Sequence, residues 1–381
     1  MSIALRILVL CSALLCGPVV PAGGYAFEAV YTADLLRNAA GGIRTSNRYL
    51  DNLDLTLEVD VAEAWGRGSG TLFVYGLYNN GTTFADELVG DLLVTSNIDA
   101  PGSWRIYELW YEFGDELWSV KTGLYDLNSE FDVNRTGGLF LSSAHGIGAA
   151  FSQTGENGPS IFPVTSLALR AAFEVRDATL RLAVLDGVPG DPDDPSSNEI
   201  NLGGEDGALL VGEVEMPFAE SARAWVGYWR YIAEFERPFD GGRSNDNEGW
   251  YLGVESGFEL WSRPAAWFVR YGRANESLNP LQAYLGGGVV IDGIIASRPE
   301  DQLGLSVASG RSGAPWQAHL EQAGAGAAAH ETEWELTYRA QINEHLALQP
   351  DLQYVQNPAA SQELENAWIV GLRFELAVGG E

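Results

Sequence analysis

Between Glu331 and Tyr354 the chain reads ETEWELTYRAQINEHLALQPDLQY. Trp334, Leu336, Tyr338 and Ala340 alternate with Glu333, Glu335, Thr337, Arg339 and Gln341. After a polar break at residues 342–344 the alternation restarts, with Leu346, Leu348, Leu352 and Tyr354 set against Gln349, Asp351 and Gln353. A period of two describes a strand with one apolar and one polar face, and two such runs about a tight break form an antiparallel hairpin. The length of the runs narrows the choice of fold. Strands in soluble sandwiches are typically about five or six residues long, whereas strands that cross a bilayer at a tilt need about nine to eleven. Outside the first residues nothing approaches the roughly eighteen consecutive apolar residues of a membrane helix. If the chain spans a membrane, it must do so as a closed barrel.

The opening residues, MSIALRILVLCSALLCGPVVPAGGYA, carry Arg6, an apolar run from Ile7 to Leu15 and small residues up to Ala26. That is the pattern of a secretory signal peptide cut near Ala22 or Ala26. The expected organisation is a signal peptide at 1–26 followed by a transmembrane barrel over 27–381. Both cysteines, Cys11 and Cys16, lie in the leader, so the mature chain offers no disulfide and no cysteine metal site. The formal charge of −30, from 52 acidic against 22 basic side chains with Lys121 the single lysine, argues against nucleic acid as a partner. The four histidines lack metal-ligand spacing, and no GxSxG-type nucleophile elbow is present, so neither a metal site nor a catalytic residue is expected. No cofactor is expected either; an acidic loop could hold calcium, but no feature of the sequence supports one.

Sixteen candidate strands follow from alternation and turn residues together. They fall near 27–33, 53–61, 70–79, 104–113, 118–125, 164–174, 179–186, 207–216, 222–231, 249–259, 265–272, 283–292 and 302–309, in the hairpin quoted above, and at 367–378. Short connections such as 114–117, 175–178, 217–220, 260–263 and 342–344 take turns with long polar ones near 80–103, 126–163, 187–206, 232–248 and 310–330. An up-and-down antiparallel outer-membrane β-barrel with tight turns at one end and long external loops at the other has this rhythm. A Greek-key sandwich does not.

Charge then assigns the faces, because an arginine at the lipid midplane costs about 2–4 kcal/mol. With Leu167, Leu169 and Phe173 outward, Arg170 enters the lumen; with Leu180, Leu182 and Val184 outward, Arg181 does too. Placing Tyr107, Leu109, Tyr111 and Phe113 outside leaves Glu108, Trp110 and Glu112 inside. Lys121, Arg270, Glu333, Glu335, Arg339 and Asp351 are luminal by the same rule. Trp118, Trp225, Trp267, Trp334, Tyr338 and Trp368 read as girdle residues at the membrane interfaces.

Several segments also carry a family likeness. PDLQYVQNP at 350–358 with NAWIVGLRFEL at 366–376 resembles the closing hairpin of the carbohydrate-selective porin (OprB) family. RPEDQLGLSVA at 298–308 resembles that family's internal signature, and residues 123–163 resemble its pore-entering loop. The resemblance implies a sixteen-stranded barrel that passes sugars by diffusion across the outer membrane of a Gram-negative bacterium. The chain departs from the usual barrel terminus, since Phe374 is followed by ELAVGGE.

A channel needs a constriction that replaces part of a solute's hydration without holding it. The expected constriction comprises Glu130, Asp132 and Arg135, on a loop folded inward from 126–163, with loop 80–103 a second inward candidate. Glu108, Trp110, Glu112, Lys121, Arg170 and Arg181 on the wall complete it. Trp110 offers a ring face for the C–H side of a pyranose, and its charged neighbours offer hydrogen bonds; if the hairpin keeps its apolar faces together, Lys121 lies across from Trp110. Mono- or oligosaccharides and outer-membrane lipids are the expected partners. A general or cation-preferring pore is the alternative reading of the acidic composition, and the strand pattern fits a monomer or a homotrimer equally.

Overall fold

The computed structural model describes residues 23–194, 197, 207–238 and 241–380. Its barrel strands, in chain order, are β1 (Tyr25–Gly42), β2 (Ser46–Asp60), β3 (Thr71–Asn79), β4 (Ser103–Gly114), β5 (Trp118–Tyr125), β6 (Ser166–Val175), β7 (Ala178–Asp186) and β8 (Ala208–Ala219). They continue with β9 (Ala222–Ile232), β10 (Glu248–Leu260), β11 (Arg263–Ala274), β12 (Leu281–Asp292), β13 (Gln302–Ser312), β14 (His330–Gln341), β15 (Leu346–Gln356) and β16 (Glu365–Gly380). Each strand pairs antiparallel with its neighbours in sequence, and β1 closes on β16 from Phe27 opposite Gly380 to Gly42 opposite Glu365. Closure leaves no free sheet edge, which hydrocarbon would not tolerate. All sixteen expected strands are present. The expected leader lies, up to residue 22, outside the described residues.

The alternation behaves as the two-environment argument requires. Leu169, Phe173, Leu182, Val184, Trp334, Leu336 and Trp368 are exposed on the outside, while Arg170, Arg270, Glu333, Glu335 and Asp351 are buried on the inside. Connections at 115–117, 176–177, 220–221 and 261–262 are tight, and those at 80–102, 126–165, 187–207, 233–247 and 313–329 are long. Three external connections, 43–45, 275–280 and 357–364, are short.

Four expectations change. The first two strands are much longer than 27–33 and 53–61: their ladder runs unbroken to Asn38 opposite Ser46, because polar residues such as Asn38 and Asn52 find partners inside the barrel. Val61 does not end β2 but opens a short helix, Val61–Trp65, capped by the Asp60 carboxylate accepting the Glu63 N–H at 2.9 Å. Tyr107 is only 2 % exposed: a bulge shifts the β3–β4 register between Tyr75/Glu108 and Gly76/Ile106 and turns its ring inward, where it meets Tyr75 edge-on. Trp225 is likewise 2 % exposed and luminal rather than in the girdle, since its indole N–H donates to Asp132 at 3.0 Å.

The lumen is therefore not uniformly polar. Trp225, Trp229, Tyr231, Tyr251 and Tyr284 point inward from β9 to β12 and pack against Phe131, Ile147 and Phe151 of the 126–165 loop. Phe151 stacks on Trp229 at 5.0 Å and 5°. Glycines make room for these rings: a Cβ at Gly253 would meet the Trp225 ring at 2.0 Å, and one at Gly249 the Trp229 ring at 2.4 Å, each directly across the strand pair.

Candidate constriction site

The 126–165 loop enters the barrel because it carries both apolar side chains and free backbone N–H groups. Leu127, Phe131, Leu139, Phe140, Leu141 and Phe151 are buried, an arrangement that an external solvated loop would not produce. Its N–H groups meet carboxylates standing inward from the wall. Asp132 donates to Glu213 at 2.7 Å, Thr136 to Glu255 at 2.9 Å, and Leu141 and Ser142 to the two oxygens of Glu335 at 2.6 and 3.1 Å. Luminal carboxylates thus substitute for the sheet or helix partners that an irregular buried backbone lacks.

Loop 80–102 also folds inward. The Leu92 and Leu93 N–H groups donate to Glu331 at 2.9 and 2.7 Å. Arg373, two strands along the wall from Glu331, bridges Asp34 and Asn97. The two loops join through Asn97 N–H to the Leu141 carbonyl at 2.7 Å and Ser143 N–H to the Val94 carbonyl at 2.9 Å. Above the junction lies a cavity of about 430 Å³ with Ser96, Asn97, Asp99, Gln153, Asn157 and Phe162 among its lining.

The wall residues expected at the constriction form two adjoining ion networks. In the first, Glu112, Lys121 and Arg170 are direct cross-strand partners on β4, β5 and β6. Arg170 binds Glu112 and Glu130 at 2.7 Å each, and Lys121 lies 3.4 and 3.3 Å from the same two carboxylates. The register places Lys121 opposite Glu112 rather than Trp110, yet its ammonium reaches diagonally to sit 3.9 Å from the Trp110 ring centre. Trp110 stacks on Phe73 at 4.9 Å and donates to Glu108, which also accepts the Asp126 N–H at 3.0 Å.

In the second network, Arg181 holds Glu213 and Glu215 at 3.3 and 3.1 Å. Arg223 holds Glu215 and Glu255 at 3.3 and 2.7 Å, and Arg135 reaches from the loop to Glu215 at 3.2 Å. Glu112, Glu130, Glu213, Glu215 and Glu255 are thus matched by Lys121, Arg135, Arg170, Arg181 and Arg223. With five formal charges of each sign, this band is neutral within a chain of formal charge −30.

The nine expected residues divide by position. Glu112, Lys121, Glu130, Arg170, Arg135 and Arg181 belong to the networks; Trp110 and Glu108 adjoin the first. Asp132 is separate, at 1 % exposure, paired with Arg270 and the Trp225 indole, and it anchors the loop. Among the loop groups, burial pushes Glu130 up but Lys121 and Arg170 outweigh it and hold the carboxyl down to about 2. Burial raises Asp126, Asp91 and Asp99 to about 6 each. Burial and the Arg270 charge bring His145 down to about 3, so its ring is neutral. Glu213, Glu215, Arg223 and Glu255 escaped the sequence reading. The signal for the first three was available in GEVEM and ARAWV, where a charged residue alternates with apolar ones on strands already assigned.

Residues 44–377 match the family model described as carbohydrate-selective porin, OprB family. The chain is 22 % identical to porin B of Pseudomonas aeruginosa, over 92 % of this chain and 87 % of that one. In fold it is similar to the high-pH structure of Pseudomonas putida OprB, with TM-score 0.82 at 19 % identity, covering 93 % and 94 % of the two chains. It is also similar to the outer-membrane channel DcaP of Acinetobacter baumannii, with TM-score 0.56 at 10 % identity, covering 93 % and 97 %.

Proposed function

The chain belongs to the carbohydrate-selective porin, OprB family, a passive sugar channel of the outer membrane, and on that premise we propose that sugars pass against the neutral ion-pair band. The observation that carries this reading is the charge balance of the band. Matched carboxylates and guanidinium groups present many hydrogen-bond donors and acceptors with no net field to concentrate either sign of ion. A polyhydroxylated neutral solute can exchange water for such groups one at a time, and because each group already has an ionic partner, none holds the solute tightly.

Arg135 has the most accessible side chain of the five cations in the band, at 46 %, so it is the guanidinium that meets the solute first. Trp110, whose ring packs against both Lys121 and Phe73, stands beside the charged groups. The inward loops set the width, with the cavity of about 430 Å³ as the external antechamber.

The test is uptake into liposomes carrying the refolded mature chain, comparing uncharged mono- and disaccharides with a charged solute of similar size. Saturable sugar flux in excess of the charged solute is expected, and Arg135→Ala and Trp110→Ala should alter it while the barrel stays folded. Flux that depends on size alone, or no effect of either substitution, would remove the band from the sugar path.

A further inference from the structure

The outer face of the barrel carries a basic row that the pore does not use. Arg273 of β11 stands opposite Ala283 of β12, Ala283 opposite Arg311 of β13, and Arg311 opposite His330 of β14. All lie at the external ends of their strands, with Arg273 and Arg311 one residue from the last and His330 the first. Neighbouring strands are about 4.8 Å apart, so the two arginine backbones stand roughly 10 Å apart with only a methyl side chain between them. Arg273, Arg311 and His330 are exposed.

Beneath the row the same face is apolar and open: Val269, Leu285, Leu305 and Trp334 are all exposed. The guanidinium groups therefore stand where the hydrocarbon belt gives way to lipid headgroups. Trp250, directly opposite Arg273, and Tyr271 lie 5.5 Å apart at the same edge, as interfacial aromatics do.

These arginines differ from others at the external rim. Arg44 and Arg48 share Glu87, and Arg230 is paired with Glu248. Among the described residues, neither Arg273 nor Arg311 makes an ion pair or a side-chain hydrogen bond, in a chain with 52 acidic side chains. The acidic residue next to His330, Glu331, is fully buried and faces the lumen. Two neighbouring guanidinium groups without an acid repel one another unless an anion joins them, and their planar forks suit phosphate oxygens.

We propose that Arg273 and Arg311, with His330 at the edge, bind the phosphate of an anionic lipid headgroup in the external leaflet, whose acyl chains then lie along the apolar face below. The test uses the refolded mature chain in detergent with lipid A (the phosphorylated glycolipid of external leaflets), the same lipid without phosphates, and inorganic phosphate. Binding would be read by native mass spectrometry.

Phosphorylated lipid A should bind, and Arg273→Gln with Arg311→Gln should weaken it by about tenfold or more. The Arg230→Gln variant should bind as the parent does. A heat-dependent gel shift common to all variants would establish that each is folded. Undiminished binding by the double variant, equal binding of the dephosphorylated lipid, equal loss in Arg230→Gln, or ready displacement by inorganic phosphate would each overturn the assignment.

Discussion

Arg135 and Arg270 both serve the loop that enters the barrel, and burial separates what each contributes. Arg270 is buried, its partner Asp132 is buried with it, and its other N–H groups donate to the carbonyls of His145 and Gly146 at 3.2 and 2.8 Å. Arg270→Ala would strand a buried carboxylate and two carbonyls, so a loss of about 3–5 kcal/mol is expected in the unfolding free energy of the refolded barrel, measured by urea titration. Arg135→Ala removes one half-exposed pair and should cost less than about 1 kcal/mol while changing solute flux. Equal losses in the two variants would refute this division between anchor and pore residue. Alternation placed Arg270, Arg170 and Arg181 in the lumen from the sequence, but it could not distinguish Asp132 as an anchor from Glu130 and Arg135 near the path. All three lie on one irregular loop, and only the loop's course decides which of them meets water.

At the scale of elements, the inward loops are attached to the wall mainly through carboxylates accepting backbone N–H groups. Deleting residues 133–142 should leave the barrel closed, since the strand ladder is independent of them and the freed carboxylates would face pore water. Single-channel conductance should then rise severalfold; an unchanged conductance would place the loop outside the ion path. Acid should act on the same loops in a defined order. The folded-state values of Asp91, Asp99 and Asp126 lie above the ordinary 3.8, so their ionised forms oppose folding. Lowering the pH from 7 through 6 and on towards 4 protonates them and stabilises the loops. Glu130 has the opposite sign: its stabilisation is present above its ordinary 4.5 and is lost only as the pH falls towards about 2. Because Asp99 lines the external cavity, loss of its charge between pH 7 and 5 should shift ion selectivity away from cations, measured as reversal potential across a salt gradient. A reversal potential independent of pH in that window would place these carboxylates away from the ions.

For the whole molecule, closure should make the barrel resistant to detergent. The unboiled chain should migrate differently from the boiled chain on a denaturing gel, and identical migration would contradict the closed barrel. Strand number, most inside–outside faces and five of the long external connections were legible in the residues, because a period of two and the cost of charge in lipid act locally along each strand. Resemblance added the family and its sugar channel. The bulge that turns Tyr107 inward, the luminal position of Trp225 and the pairing of the two inward loops were not legible, because each depends on what lies across the lumen. The same holds for the charge balance. A sequence of formal charge −30 determined an acidic outer-membrane barrel, and only the tertiary structure, by bringing five carboxylates and five cations from seven strands and a loop into one band, decided that its wall is locally neutral.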